Sequence, residues 1–331
     1  MDDINYDFKS ERKIFSRIGF ALSVILVVAF VAQAICIVVP KLIWGEDNWF
    51  STSSWGFWIS SFAPIYLFAI PSGLLIMKKI PAQKPEEHSL KVGKFLTVLP
   101  IVFFVMYTGN IIGTTLSAIL SGGKAQNALD EYATDNNPLK VVVMVILAPI
   151  LEEFVFRKQL IDRTRQYGEK LTVLLSGLTF GLLHQNLFQF FYAFGIGVIF
   201  AYIYLRTGKL RYTVLMHAIV NFMGAVIAPW ILSIVDLDKI SSISAATNEE
   251  AMTLILEVLP GLLIMLVYAF ALMGLSILGL ILFILSLRKL VWKPAENQLP
   301  QGAAFKTVYK NAGMILYIIL CAVFIVIALF N

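Results

Sequence analysis

Charge, histidine and cysteine are all scarce in this sequence, and each scarcity excludes something. Charged residues make up 14% of the 331-residue chain, against roughly a quarter in a soluble globular protein. A domain with a water-facing shell on every side is thereby excluded. The net charge of +5 lies in short connections rather than in a basic stripe or arm, so nucleic acid is not an expected partner. Cys36 and Cys321 both fall in apolar segments. They form neither a disulfide framework nor a metal knuckle, and they are expected to face lipid or pack. Neither has a plausible base nearby in sequence, which argues against a thiol nucleophile. A GxSxG elbow, an HExxH helix and a pair of intramembrane aspartates are also missing.

What the chain has instead is apolar length. Hydrophobic residues reach 59%, the mean hydropathy is +0.81, and the excess is gathered into uninterrupted runs. Runs of about 18 residues or more cross a bilayer core as helices. The expected fold is therefore all-α, a polytopic transmembrane helical bundle of about eight or nine spans with membrane lipid as its solvent. Nine segments fit, at 16–40, 57–77, 95–121, 139–160, 171–187, 189–206, 212–235, 252–287 and 312–330. The eighth is too long for one straight crossing, and Pro260 and Gly261 near its start predict a kink or a short preceding helix. In the first, Ala32-Gln33-Ala34 resembles a cleavage site. The apolar run continues beyond it, so an uncleaved helix is expected.

The connections alternate in charge. Lys9, Arg12, Lys13 and Arg17 precede the first span, and Lys78, Lys79, Lys84, Lys91 and Lys94 follow the second. Arg157, Lys158, Arg163, Arg165 and Lys170 surround the end of the fourth, Arg206, Lys209 and Arg211 follow the sixth, and Arg288, Lys289 and Lys293 follow the eighth. The loop 122–138, with Asp130, Glu131 and Asp135, carries little positive charge. Basic loops mark the cytoplasmic side, which places the amino terminus in the cytoplasm and the carboxyl terminus outside. Trp44, Trp49, Trp55 and Trp58 form an interfacial belt around the first outer loop. Compact loops and the lack of a soluble domain, internal repeat or organelle signal point to a single multi-pass domain, 1–331, in a prokaryotic plasma membrane.

Ionisable side chains in hydrocarbon cost a few kcal/mol and are functional candidates by default. Three places qualify. Glu152 and Glu153 lie inside the fourth span, and Glu153 and Arg157, four apart, share a helical face and can pair. Glu152 is turned about 100° away and has no helical partner at that spacing. That leaves it as a general-base candidate. A purely structural ion pair with Glu152 snorkelling is the plainer alternative. The same dipeptide at Glu86-Glu87, in a Lys- and Pro-rich loop, needs no explanation. The second place is Phe180 with His184 in the fifth span. The third is His217 with Asn221 in the seventh, again four apart on one face. Each alone is more simply a buried hydrogen-bonding group. Together, two of only three histidines, a carboxylate and an amide fall between the cytoplasmic side and mid-membrane. They supply a base, a proton shuttle and oxyanion donors. His88, in a loop, is assigned nothing.

These residues resemble the three signatures of the CAAX-protease and bacteriocin-processing family, also called the Abi family: EExxxR, FxxxH and HxxxN. Here they read Glu152-Glu153 with Arg157, Phe180 with His184, and His217 with Asn221, in that order and on successive helices. The resemblance covers 139–235, which it marks as a four-helix catalytic core. The segments 1–138 and 236–331 read only as accessory transmembrane helices. The resemblance implies an intramembrane endopeptidase whose substrate is a peptide or a membrane-anchored protein. Glu152 and His184 would activate a water, His217 and Asn221 would stabilise the oxyanion, and Glu153 and Arg157 would hold the helix. The family is often labelled metalloprotease, and two histidines with Glu and Asn can in principle ligate zinc. The signature is not a zincin motif, and a metal-free mechanism needs the same residues, so the expectation is metal-free chemistry under the family's metalloprotease label, with zinc left open.

Two other function classes compete. A non-catalytic scaffold or bacteriocin-immunity protein would use the polar cluster to bind a partner and would tolerate loss of Glu152. A transporter would use Glu and His as a proton relay. No repeated half with matching broken helices appears, and the polar residues lie in one block, which counts against transport.

Overall fold

The computed structural model describes residues 8–127, 132 and 135–330; Asp130 and Glu131 of the acidic loop lie outside them. Among the described residues the secondary structure is helical throughout. The longer helices in chain order are α1 (Lys9–Trp44), α2 (Ser54–Met77), α3 (Val92–Ser121), α4 (141–164), α5 (Glu169–Leu183), α6 (Leu187–Thr207), α7 (210–234), α8 (Asn248–Leu287), α9 (Gln301–Tyr309) and α10 (Ala312–Phe330). The protein is an all-α, multi-pass membrane bundle.

All nine expected segments are helical, but seven, not nine, of the described helices are long and apolar enough to cross a membrane by themselves. The two that fall short are α4 and α5, for different reasons. Helix α4 carries Glu152, Glu153, Arg157, Lys158, Asp162 and Arg163. Helix α5 has 15 residues, about 22 Å at helical rise, against a hydrocarbon core of about 30 Å. Of the candidate residues, α4 holds Glu152, Glu153 and Arg157, and His184 stands at the end of α5. In the eighth segment a short helix, Leu237–Ser242, comes first, and helix α8 then runs for 40 residues through Pro260. It is capped at Thr247, whose side chain and backbone pair with Glu250. Helix α1 likewise continues through Ala32–Ala34.

Lipid cannot drive helices together by hydrophobicity, so close packing of small residues does. Helices α1 and α10 cross at Gly19 and Gly313, where an added Cβ on Gly313 would lie 1.8 Å from the Ser16 carbonyl oxygen. Helix α3 presses on α6 through Gly109 and Gly113. A Cβ on Gly109 would lie 2.5 Å from Tyr192 Cα, and one on Gly113 would lie 2.2 Å from the Leu187 oxygen.

The basic connections meet at one end of the bundle. Arg12 donates to the Lys310 carbonyl, Arg17 to that of Lys79 and Arg165 to that of Lys84. Lys209 and Lys293 face Glu87 and Glu86. Two connections then seal the ends of the helices that carry the candidate site. From 78–91, Gln83 N–H donates to the Asp162 carbonyl and His88 N–H to that of Thr207. From 288–300, Asn297 and Leu299 N–H donate to the Gln166 and Tyr167 carbonyls, and Lys293 N–H donates to Glu169.

Candidate active site

Helix α4 is widened by π-helical turns at Val141–Leu147 and Phe154–Gln159, with regular helix at Ala148–Glu153 between them. Wide turns of this kind loosen the backbone ladder and recur at functional sites. The two adjacent carboxylates at their junction have opposite environments. Glu153 is fully buried and held by Arg157 in a two-point contact, Nε to Oε2 at 2.9 Å and Nη2 to Oε1 at 3.2 Å. The remaining guanidinium nitrogen, Nη1, donates to Ser176 Oγ at 2.7 Å, and Ser176 passes its own hydrogen to the Phe156 carbonyl. Geometry of this quality is what a buried ion pair needs to offset its desolvation. Glu152 keeps 25% of its side chain accessible, and the imidazole facing it is that of His217, with Nε2 at 3.8 Å from Oε2.

His217 therefore stands between the two carboxylates, because its Nδ1 lies 3.2 Å from Glu153 Oε1. The Glu152 contact is too long for a hydrogen bond and short enough for a charge pair or a bridging water. One turn on, Asn221 Nδ2 donates to the Met144 carbonyl at 2.7 Å, inside the first wide turn of α4. This ties α7 to α4 and leaves the second amide hydrogen of Asn221 unspent.

His184 joins the cluster by another route. It ends α5, and its Nδ1 lies 2.9 Å from the Phe180 carbonyl oxygen. A carbonyl can only accept, so Nδ1 carries the hydrogen and Nε2 of the neutral ring keeps its lone pair. The Phe180 ring is the hub. It meets the His184 ring edge-on at 5.0 Å and the His217 ring at 5.8 Å between centroids. Its face carries the Arg157 guanidinium at 4.7 Å. The helices thus bring Glu152, Glu153, Arg157, Phe180, His184, His217 and Asn221 into one cluster. Glu152 faces His217 rather than His184.

Residues that spacing alone did not reveal complete the surroundings. Ser176 sits one turn before Phe180 and two before His184, a polar residue in the same helical row. That repeat was the available signal. Tyr66, in a π-helical turn of α2, and Tyr192 of α6 both lie within electrostatic reach of Glu152. Nothing in their local sequence marks them.

Among the described residues no group of three His, Cys, Asp or Glu side chains is placed to hold a metal ion. No step below is routed through a metal.

Comparison with known proteins bears on this same stretch. Residues 134–223, which hold every side chain of the cluster except Tyr66, match the model described as Rce1-like, type II CAAX prenyl endopeptidase. Over these residues the chain is similar to the Rce1-like family. The chain is 32% identical over 159 residues to the putative membrane peptidase YdiL of Bacillus subtilis (strain 168), covering 45% of this chain and 63% of that protein. It is 26% identical over 172 residues to the membrane-embedded CAAX protease MroQ of Staphylococcus aureus (strain USA300), covering 47% and 69%. The chain thus spans less than two thirds of the first relative's length. No solved structure gives a significant match. The Rce1-like segment ends within α7, so α8 to α10 lie outside that segment.

Proposed function

We propose that this protein is a membrane-embedded endopeptidase that hydrolyses a peptide bond near the membrane face where the basic connections meet, and that this face is cytoplasmic. The observation that carries the reading is the division of labour between adjacent carboxylates. Glu153 is spent on Arg157 and His217, while Glu152 stays accessible with the His217 imidazole before it. In this scheme Glu152 takes a proton from water, and the lone pair on Nε2 of His184 orients that water. The water oxygen adds to the peptide carbonyl carbon. His217 and the unspent amide hydrogen of Asn221 face the oxyanion as charge develops there. Glu152 then returns its proton to the amide nitrogen as the carbon–nitrogen bond breaks. Glu153, Arg157 and Phe180 hold the geometry.

The substrate class follows from the setting. A site enclosed by lipid-facing helices suits a peptide terminus or a membrane-anchored peptide, and the family match adds the prenylated CAAX tail as one candidate. The test compares wild type with Glu152→Gln in detergent on a pool of membrane-associated peptides, read by mass spectrometry with and without a chelator. Loss of a positioned base lowers turnover by at least about a hundredfold. We expect cleavage by the wild type, with or without chelator, and none by the variant. Cleavage persisting in Glu152→Gln would falsify the assignment, and loss of wild-type cleavage with chelator would reinstate a metal.

A further inference from the structure

The bond that sets the His184 tautomer depends on how α5 ends. In a regular last turn the His184 N–H would reach back to the Phe180 carbonyl. Here it donates instead to the Gly181 carbonyl at 3.3 Å, and Gln185 N–H donates to that of Leu182 at 3.1 Å. The helix end is thus tightened to three-residue steps, and the Phe180 carbonyl is left for the imidazole Nδ1. The chain then turns sharply. Gln185, directly after His184, has φ = 56°, the one non-glycine residue with positive φ among those described. Such backbone is disfavoured for a residue with a Cβ and persists only where its surroundings impose it.

The imposing group is Asn186. Its Nδ2 donates to the His184 carbonyl at 2.7 Å and to Gln189 Oε1 at 2.8 Å, while its Oδ1 accepts from Gln189 N–H at 2.9 Å. One side chain thereby satisfies a carbonyl orphaned at the end of α5 and an N–H orphaned at the start of α6. The amide fits only this way round: turned over, its oxygen would face the His184 carbonyl oxygen and its nitrogen the Gln189 N–H. Close packing keeps the turn from sliding. A Cβ added to Gly181 would lie 2.9 Å from the Phe190 carbonyl oxygen, and Gly113 of α3 presses on the Leu187 oxygen. None of the family signatures includes Asn186.

We propose that Asn186 is a positioning residue for His184: its amide locks the turn that frees the Phe180 carbonyl, and so fixes the tautomer and aim of the imidazole. Its effect on turnover rests on the endopeptidase reading above, in which the Nε2 lone pair of His184 orients the attacking water. Its effect on the tautomer does not.

The experiment compares wild type and Asn186→Ser in the same detergent by nitrogen NMR of isotope-labelled histidine, steady-state cleavage of one peptide and thermal unfolding. The chain has three histidines, and His184→Gln assigns the signal. Serine caps a helix about as well as asparagine, so the melting temperature should stay near that of the wild type. In the wild type, His184 should carry its hydrogen on Nδ1 alone. In Asn186→Ser a second signal with the hydrogen on Nε2 should appear. With it, kcat should fall by about ten- to a hundredfold through misorientation, and KM should stay within about twofold. A cap without a positioning role would leave the tautomer unmoved. A folded Asn186→Ser whose His184 stays wholly on Nδ1, or whose kcat equals that of the wild type, overturns the assignment. If Asn186→Ser fails to fold, Asn186→Asp takes its place, since its carboxylate keeps the cap acceptor and cannot donate; the wild-type tautomer there overturns the assignment. A wild type that cleaves no peptide overturns the endopeptidase reading, and the tautomer measurement still decides for or against Asn186.

Discussion

The Phe180 carbonyl oxygen lies 2.9 Å from Nδ1 of His184, and the Phe180 ring stands edge-on to the same imidazole with the planes at 89°. One residue thus sets both the tautomer and the tilt of a candidate catalytic histidine. Phe180→Leu keeps the carbonyl and removes the ring, together with its contact to Arg157. A desolvated cation–π contact is worth about 2 kcal/mol, so a comparable loss of stability is expected on unfolding in detergent. Turnover should fall further than stability accounts for, by up to about a hundredfold, through misorientation of His184. Wild-type turnover in a folded Phe180→Leu would remove the ring from the account.

Glu153 and Arg157 make a second case. Removing one partner of a buried pair strands the other and costs about 3–5 kcal/mol, whereas removing both is much milder. Arg157→Met and Glu153→Gln should each destabilise strongly, and the double variant should recover much of the loss in a double-mutant cycle. Strict additivity of the two losses would show that the pair is not coupled.

Gln185 offers a stabilising change. Left-handed backbone costs a residue with a Cβ roughly 1–2 kcal/mol that glycine is spared. Gln185→Gly should therefore hold or raise the melting temperature despite glycine's greater flexibility, and Gln185→Val should lower it. The reverse order in a thermal scan would mean that the turn relaxes to another conformation.

The far end of α2 has its own pH dependence. Asp135 accepts from Ser54 Oγ at 2.5 Å and from Trp58 Nε1 at 2.8 Å, and Asn137 N–H donates to its other oxygen. The Ser54 bond foremost, with the Asn137 and Trp58 bonds and nearby Lys140, holds its carboxyl below the ordinary value. A depressed folded-state value means stability that is present above the unfolded value and lost as pH falls through the folded one. This contribution should therefore disappear on acidification below about pH 4. Asp135→Asn should flatten that part of the stability profile. An unchanged slope would assign it to another carboxylate.

Three motifs at i, i+4 spacing were legible in the sequence because a helix turns that spacing into a shared face. Glu153–Arg157 pairs as its spacing required, and His217 and Asn221 both reach α4 from one side of α7. The count of self-sufficient spans was not legible in the same way. Hydropathy treats each segment alone, whereas Glu153, Arg157, Asp162 and Arg163 of α4 are buried against its neighbours. Pro260 lies inside α8, which continues through it. Tyr66 and Tyr192 were invisible for a different reason. Their place near the cluster arises from contacts between helices, which have no one-dimensional signature.

The hooks from 78–91 and 288–300 limit what can be transplanted. Each donates main-chain hydrogens to carbonyls at the ends of α4 and α6 and in the turn before α5, at Asp162, Thr207, Gln166 and Tyr167. Both hooks lie outside the Rce1-like segment. A chimera that grafts only that segment into another membrane scaffold would leave these four acceptors without their native donors, so a working exchange unit has to carry its own fasteners.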